Sequence, residues 1–196
     1  MSIPRFSFGV LVASRMTAQD FITYVIAQVL GAIAGAVVLY LILKEKAAGW
    51  NGGLGQNGWG PGYLGEYGLG ATFIYEVVAT FLFLVCILGV TQRGAPVGIA
   101  GLAIGLTLIA LDLFGINITG ASVNPARSLG PALVGAGANP ERLAQVWLFI
   151  IAPLMGAGVA GYLFKSGILA VEDVIPERGG AKSDVAPAAS APRKKR

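Results

Sequence analysis

The residues best placed to do chemistry lie in one decapeptide, Ser122-Val123-Asn124-Pro125-Ala126-Arg127-Ser128-Leu129-Gly130-Pro131. Asn124 can cap a helix, and Pro125 fits the first helical position, where no backbone N–H is needed. From Pro125 to Val134 there is room for about 15 Å of helix, half of the ~30 Å hydrocarbon core of a bilayer. The segment lies between two long apolar runs. A half-length helix starting there aims its positive end, an amide and an arginine at one buried point. Irregular backbone at that depth is tolerated where protein buries it or where it lines a wet cavity. The chemistry this suggests is hydrogen bonding to a passing solute. The bland alternative is that Asn-Pro opens a surface helix.

The elements that must position these residues are long and apolar. The chain has 196 residues, 55% hydrophobic and 12% charged, with a mean hydropathy of +0.72. Soluble domains carry about twice that charge, so the composition predicts membrane residence. Segments 21–43, 71–90, 96–118 and 146–164 are each near the ~20 residues that a spanning helix needs. Glu76 is the one charge in the second, and Asp112 the one charge in the third. Small residues recur four apart at Gly31/Gly35, Gly101/Gly105 and Ala152/Gly156/Ala160, a spacing that lets helix backbones approach in lipid.

Residues 49–70 are Gly-rich, with Trp50, Trp59, Tyr63 and Tyr67 interleaved. They read as an aromatic-anchored surface loop. Without Lys or Arg to hold phosphates, the stretch does not point to nucleic acid. Residues 169–196 turn to Pro, Ala, Ser and charge and read as a disordered tail. There are no histidines, no metal-ligand cluster, no nucleophile–base pair and no nucleotide loop, so neither a cofactor nor catalysis is expected. Lone Cys86 reads as helix packing. With four spans both termini share a side, which collects Arg5, Arg15, Arg93, Lys165, Arg178, Lys182 and the terminal Arg193, Lys194, Lys195 and Arg196. The other side has Lys44, Lys46, Arg127 and Arg142, so the termini are expected in the cytoplasm of a multi-pass cell-membrane protein.

The chain also repeats itself. Pro4, Ser7 and Gly9 match Pro125, Ser128 and Gly130 at an offset of 121. Ala27-Gln28-Val29-Leu30-Gly31-Ala32 matches Ala152-Pro153-Leu154-Met155-Gly156-Ala157 at an offset of 125. The unit of half helix, loop and spanning helix therefore occurs twice, and two spans precede the second copy. Such units in opposite orientations, with a site between them near the midplane, make an inverted-repeat bundle.

These residues resemble the aquaporin (major intrinsic protein) family, from about Phe6 to Lys165. Gly120 to Ser128 is similar to the family's second Asn-Pro-Ala signature with its following arginine; Tyr24 to Gln28 resembles the start of its third helix. The resemblance implies an all-α membrane protein, an aquaporin-like inverted-repeat helical bundle. Against six spans and two half helices, the expectation here is a shortened form over residues 1–168. It has four spanning helices, a full half helix at 125–134 and a remnant of the other at 4–13. The first two spans and first Asn-Pro-Ala motif are not found, since Ile3-Pro4-Arg5 keeps the proline alone.

The resemblance also implies roles. Asn124, Pro125 and Ala126 would form the pore motif. Arg127 would be the cationic member of a selectivity filter, the alternative being a structural ion pair. Ala121 falls at another filter position. Asp112 falls where many water-selective members place a histidine; it would pair across from Arg127 or attract cations, or else be solvated near the surface. Glu76 would accept backbone N–H groups of the re-entrant loop, the alternative being a carrier of transported protons. The implied function is a passive channel for water and small neutral solutes such as glycerol. The alternatives are a non-conducting fragment and a proton-coupled or cation pathway. The implied assembly is a homotetramer in a lipid bilayer, with no nucleic-acid partner.

Overall fold

Local sequence signals set the helix ends. In a computed structural model describing residues 4–46, 49–92 and 94–170, the described chain is helical, in the order α1 Pro4–Val12, α2 Ala18–Leu43, α3 Leu69–Val90, α4 Ala100–Thr119, α5 Pro125–Val134 and α6 Pro140–Lys165. A short 3-10 turn, Val97–Ile99, leads into α4. Thr17 caps α2 by accepting from the Asp20 N–H at 3.1 Å, and Asp20 adds an acidic group to the first turn, where the helix dipole favours it. Pro140 opens α6 at a position that loses no hydrogen bond. Gly120, at φ 74°, ends α4 in the left-handed region that glycine enters most readily.

Among the described residues, four helices are long and apolar enough to cross a bilayer: α2, α3, α4 and α6, of 26, 22, 20 and 26 residues. α1 and α5, of 9 and 10 residues, reach only about half that depth. α3 and α6 make the most extensive pairing. Phe83 and Leu84 of α3 and Leu148 and Phe149 of α6 are fully buried. The two repeats interlock: α5 packs on α2 and α6, and α1 on α6 and α2. The tail expected from residue 169 lies outside the described residues from 171 onward.

The small-residue spacings divide into two kinds. At Gly156 a methyl would collide with the Val77 carbonyl oxygen of α3, so this spacing lets α6 and α3 touch. At Gly31, Gly35, Gly101 and Gly105 nothing lies within 4 Å of where a methyl would stand. Those glycines face open space, and the close approach expected of them is not made among the described residues. α2 and α4 carry broad apolar surfaces, with Leu30, Ile42, Leu113 and Phe114 exposed.

Candidate functional site: a held arginine between two cavities

The site is built on the linker between α4 and α5. Its backbone turns through positive φ at Gly120 (74°), Ala121 (49°) and Val123 (42°). Left-handed φ is sparsely populated by residues with side chains, most of all by β-branched ones. The linker is held by Glu76 of α3, which is fully buried. Its Oε1 accepts from the Thr119 hydroxyl at 2.8 Å and the Ser122 N–H at 3.1 Å, and its Oε2 from the Val123 N–H at 2.7 Å. Thr119 Oγ1 accepts in turn from the Ala121 N–H at 3.0 Å. Buried N–H groups without such acceptors would be costly, and one carboxylate answers two of them.

The linker delivers Asn124 to the start of α5. Asn124 Oδ1 accepts from the Ala126 N–H at 3.1 Å, which leaves the amide nitrogen as a donor for something else. Asn124 and, from α5, Ala126, Arg127 and Pro131 wall a cavity of about 340 Å³ together with Pro4 of α1 and Gln28 and Ala32 of α2. The two half helices therefore start on one cavity, at Pro4 and at Pro125.

Arg127 also walls a second cavity, of about 470 Å³, bounded by the 51–64 loop, the end of α4, Asn139 and Arg142. Arg127 thus borders both spaces. Arg127 Nη1 donates to the Gly55 carbonyl at 2.7 Å and to Asn57 Oδ1 at 2.9 Å, and Nη2 to the Gly120 carbonyl at 3.3 Å. These three oxygens, two backbone carbonyls and one side-chain amide, set its orientation.

The loop that supplies those carbonyls is more than a surface anchor. Leu54, Gln56, Asn57 and Tyr63 are buried, and the Tyr63 hydroxyl donates to the carbonyls of Gln56 at 2.9 Å and Thr119 at 3.1 Å. The Arg142 guanidinium stacks over the Tyr63 ring at 4.5 Å. Burial pushes the Tyr63 phenol up from 10.0 to about 12, against the lowering pull of the Arg127 and Arg142 charges.

Of the residues singled out from sequence, Asn124, Ala126 and Arg127 share a cavity, and Glu76 holds the linker beside them. Pro125 is buried as the first residue of α5, and Ala121 is buried within the linker. Asp112 lies on the exposed surface of α4 and is not part of either cavity wall; Ile116, one turn on, borders the second. The sequence reading gives Asn57 no role and Tyr63 only that of a surface anchor. The available signal is that Asn57 is among the few polar side chains in a stretch otherwise rich in glycine and apolar or aromatic residues.

The model of the family described as "Major intrinsic protein" matches residues 3–164. The chain belongs to the major intrinsic protein family. It is 46% identical over 164 residues to Aquaporin Z of Rhodopseudomonas palustris, covering 83% of this chain and 67% of that protein. It is 44% identical over 162 residues to Aquaporin Z of Brucella melitensis, covering 83% and 70%. The fold is similar to the crystal structure of the aquaglyceroporin from Plasmodium falciparum, with a TM-score of 0.73 over 85% of this chain and 72% of that one, at 20% identity. The protein is thus an all-helical, multi-pass membrane protein of a channel family and not an enzyme.

Proposed function

We propose that this member of the major intrinsic protein family conducts water passively, with small neutral solutes such as glycerol as further permeants. The observation that carries the reading is the position of Arg127, which walls both the 340 Å³ cavity shared with Asn124 and the 470 Å³ cavity under the loop. A solute moving from one space to the other passes a fixed guanidinium and then an unspent amide donor at a half-helix N-terminus. Donors and positive potential favour neutral hydrogen-bonding solutes and oppose cations. The name Aquaporin Z, borne by relatives at 44–46% identity, supports water as the main permeant.

In this reading Asn124, Pro125 and Ala126 form the pore motif, and Arg127, Ala121 and Asp112 contribute to the filter. Asp112 enters through its charge, which interacts favourably with Arg127 from the exposed side of α4. The excess of Lys and Arg on the side of the termini supports a cell-membrane protein with cytoplasmic ends, α5 entering from outside. Four copies, each with its own passage, is the assembly the family resemblance supports.

The test is osmotic swelling of proteoliposomes followed by light scattering. Fast water entry with an activation energy well below that of bare lipid supports the channel. Swelling equal to protein-free vesicles rejects it, and flux that follows a proton gradient favours coupled transport instead.

A further inference from the structure

We infer that Asn57 is a positioning residue: by holding one Nη of Arg127 it decides where the guanidinium stands and which of its donors a solute meets. The inference rests on the channel reading and names the part of the loop that tunes it. Asn57 is 2% exposed, and its amide bonds at both ends. Oδ1 accepts from Arg127 Nη1 at 2.9 Å and from the Ser128 hydroxyl at 2.8 Å, while Nδ2 donates to the Thr119 carbonyl at 2.9 Å. One loop side chain therefore joins the end of α4 to the first turn of α5, and its acceptor oxygen serves α5 alone.

The consequence is a count of donors. Gly55 and Asn57 occupy both hydrogens of Nη1, and Gly120 occupies one of Nη2. Nε–H and the second Nη2–H remain for a solute in the cavities that Arg127 walls. Without the Asn57 oxygen, Nη1 regains a free hydrogen, the volume of the amide opens beside it, and only the Gly55 and Gly120 carbonyls are left to orient the guanidinium. The space beside Arg127 grows by the volume of the lost amide, so a larger polar solute gains more than water does.

The two ends of the amide separate positioning from mere stapling. Asn57→Ala removes both. Asn57→Asp keeps an acceptor for Arg127 and Ser128 and gives up the donation to Thr119. In proteoliposomes with matched amounts of folded protein, Asn57→Ala is expected to raise the glycerol-to-water permeability ratio at least about threefold, and Asn57→Asp to bring it back toward the original. Water and glycerol permeabilities that fall together in Asn57→Ala, at an unchanged ratio, would show a staple and overturn the inference.

A second measurement does not depend on flux. Phenylglyoxal labelling of the whole protein, read site by site by mass spectrometry, should be faster at Arg127 in Asn57→Ala by about threefold or more, and unchanged at Arg142, which keeps its contacts with Trp59 and Gln145. An unchanged rate at Arg127 overturns the positioning role. If the original protein gives no swelling, the channel reading fails, and the labelling still decides whether Asn57 holds Arg127.

Discussion

Gly130 of α5 lies directly against the backbone of Ala32 in α2: a methyl built on Gly130 would stand 2.6 Å from the Ala32 carbonyl carbon and oxygen. Its counterpart in the repeat, Gly9 of α1, lies under Ala157 of α6, where a methyl would stand 3.4 Å from the carbonyl oxygen and 2.7 Å from Leu84 Cδ1. The equivalences Gly9/Gly130 and Ala32/Ala157 thus reappear as two crossings in which a half helix of one repeat seats on the spanning helix of the other.

Backbone cannot yield as a flexible side chain does, so Gly130→Ala should cost about 1–3 kcal/mol and Gly130→Leu should abolish the folded state. Gly35→Ala and Gly101→Ala, in open space, should change stability by less than about 0.5 kcal/mol. Thermal unfolding in detergent orders the four variants, and an unaffected Gly130→Leu would contradict the crossing.

Glu76→Gln replaces a double acceptor with an acceptor and a donor. Two backbone N–H groups and a hydroxyl converge on the carboxylate, so one buried donor then faces another. A loss of about 2–4 kcal/mol is expected, seen as a lower unfolding temperature and a smaller folded yield. If folding is intact and proton-coupled uptake is abolished instead, Glu76 carries protons.

Arg127→Ala removes the charge between the two cavities and the donors to Gly55, Asn57 and Gly120. Water permeability should persist, while glycerol and cation leak should rise, by roughly the tenfold that ~1.4 kcal/mol of barrier represents. Arg127→Lys should not restore selectivity, because an ammonium cannot span those three acceptors as a planar fork does. Solute-gradient swelling and a potential-sensitive dye read the two leaks.

Asp112→His removes a negative charge from the α4 face that borders the second cavity at Ile116. The glycerol-to-water ratio should shift, and cation leak should fall. Water, glycerol and ion fluxes that are all unchanged would take Asp112 out of the filter.

Tyr63 links pH to the loop. Its folded value of about 12 lies above the ordinary 10.0, so the neutral phenol is favoured in the folded state. The stability it contributes is complete below pH 10 and is lost as pH rises through about 12. Ultraviolet difference titration of the protein against Tyr63→Phe should give a midpoint near 12, and Tyr63→Phe should lose less stability between pH 10 and 12.

Much of this architecture was legible because it is local. The apolar lengths placed four helices, with ends within a few residues of those seen; α6 starts earlier, at Pro140 rather than 146, because its first turn is polar and escapes a hydropathy reading. Asn124-Pro125 fixed the start of α5, since cap and first turn are set by adjacent residues. The signature around Arg127 and its repeat gave the family.

What chain order could not supply was which glycines touch and what holds the arginine. Gly31 and Gly156 occupy equivalent places in the repeat, yet one faces open space and the other meets α3. Asn57 is 70 residues from Arg127, and Gln145 is 86 from Trp59. Helical periods and caps act over a few residues and are written in the sequence. The oxygens that orient Arg127, and the meeting of two cavities at one guanidinium, come from helices crossing at fixed backbone distances, which only the packed structure determines.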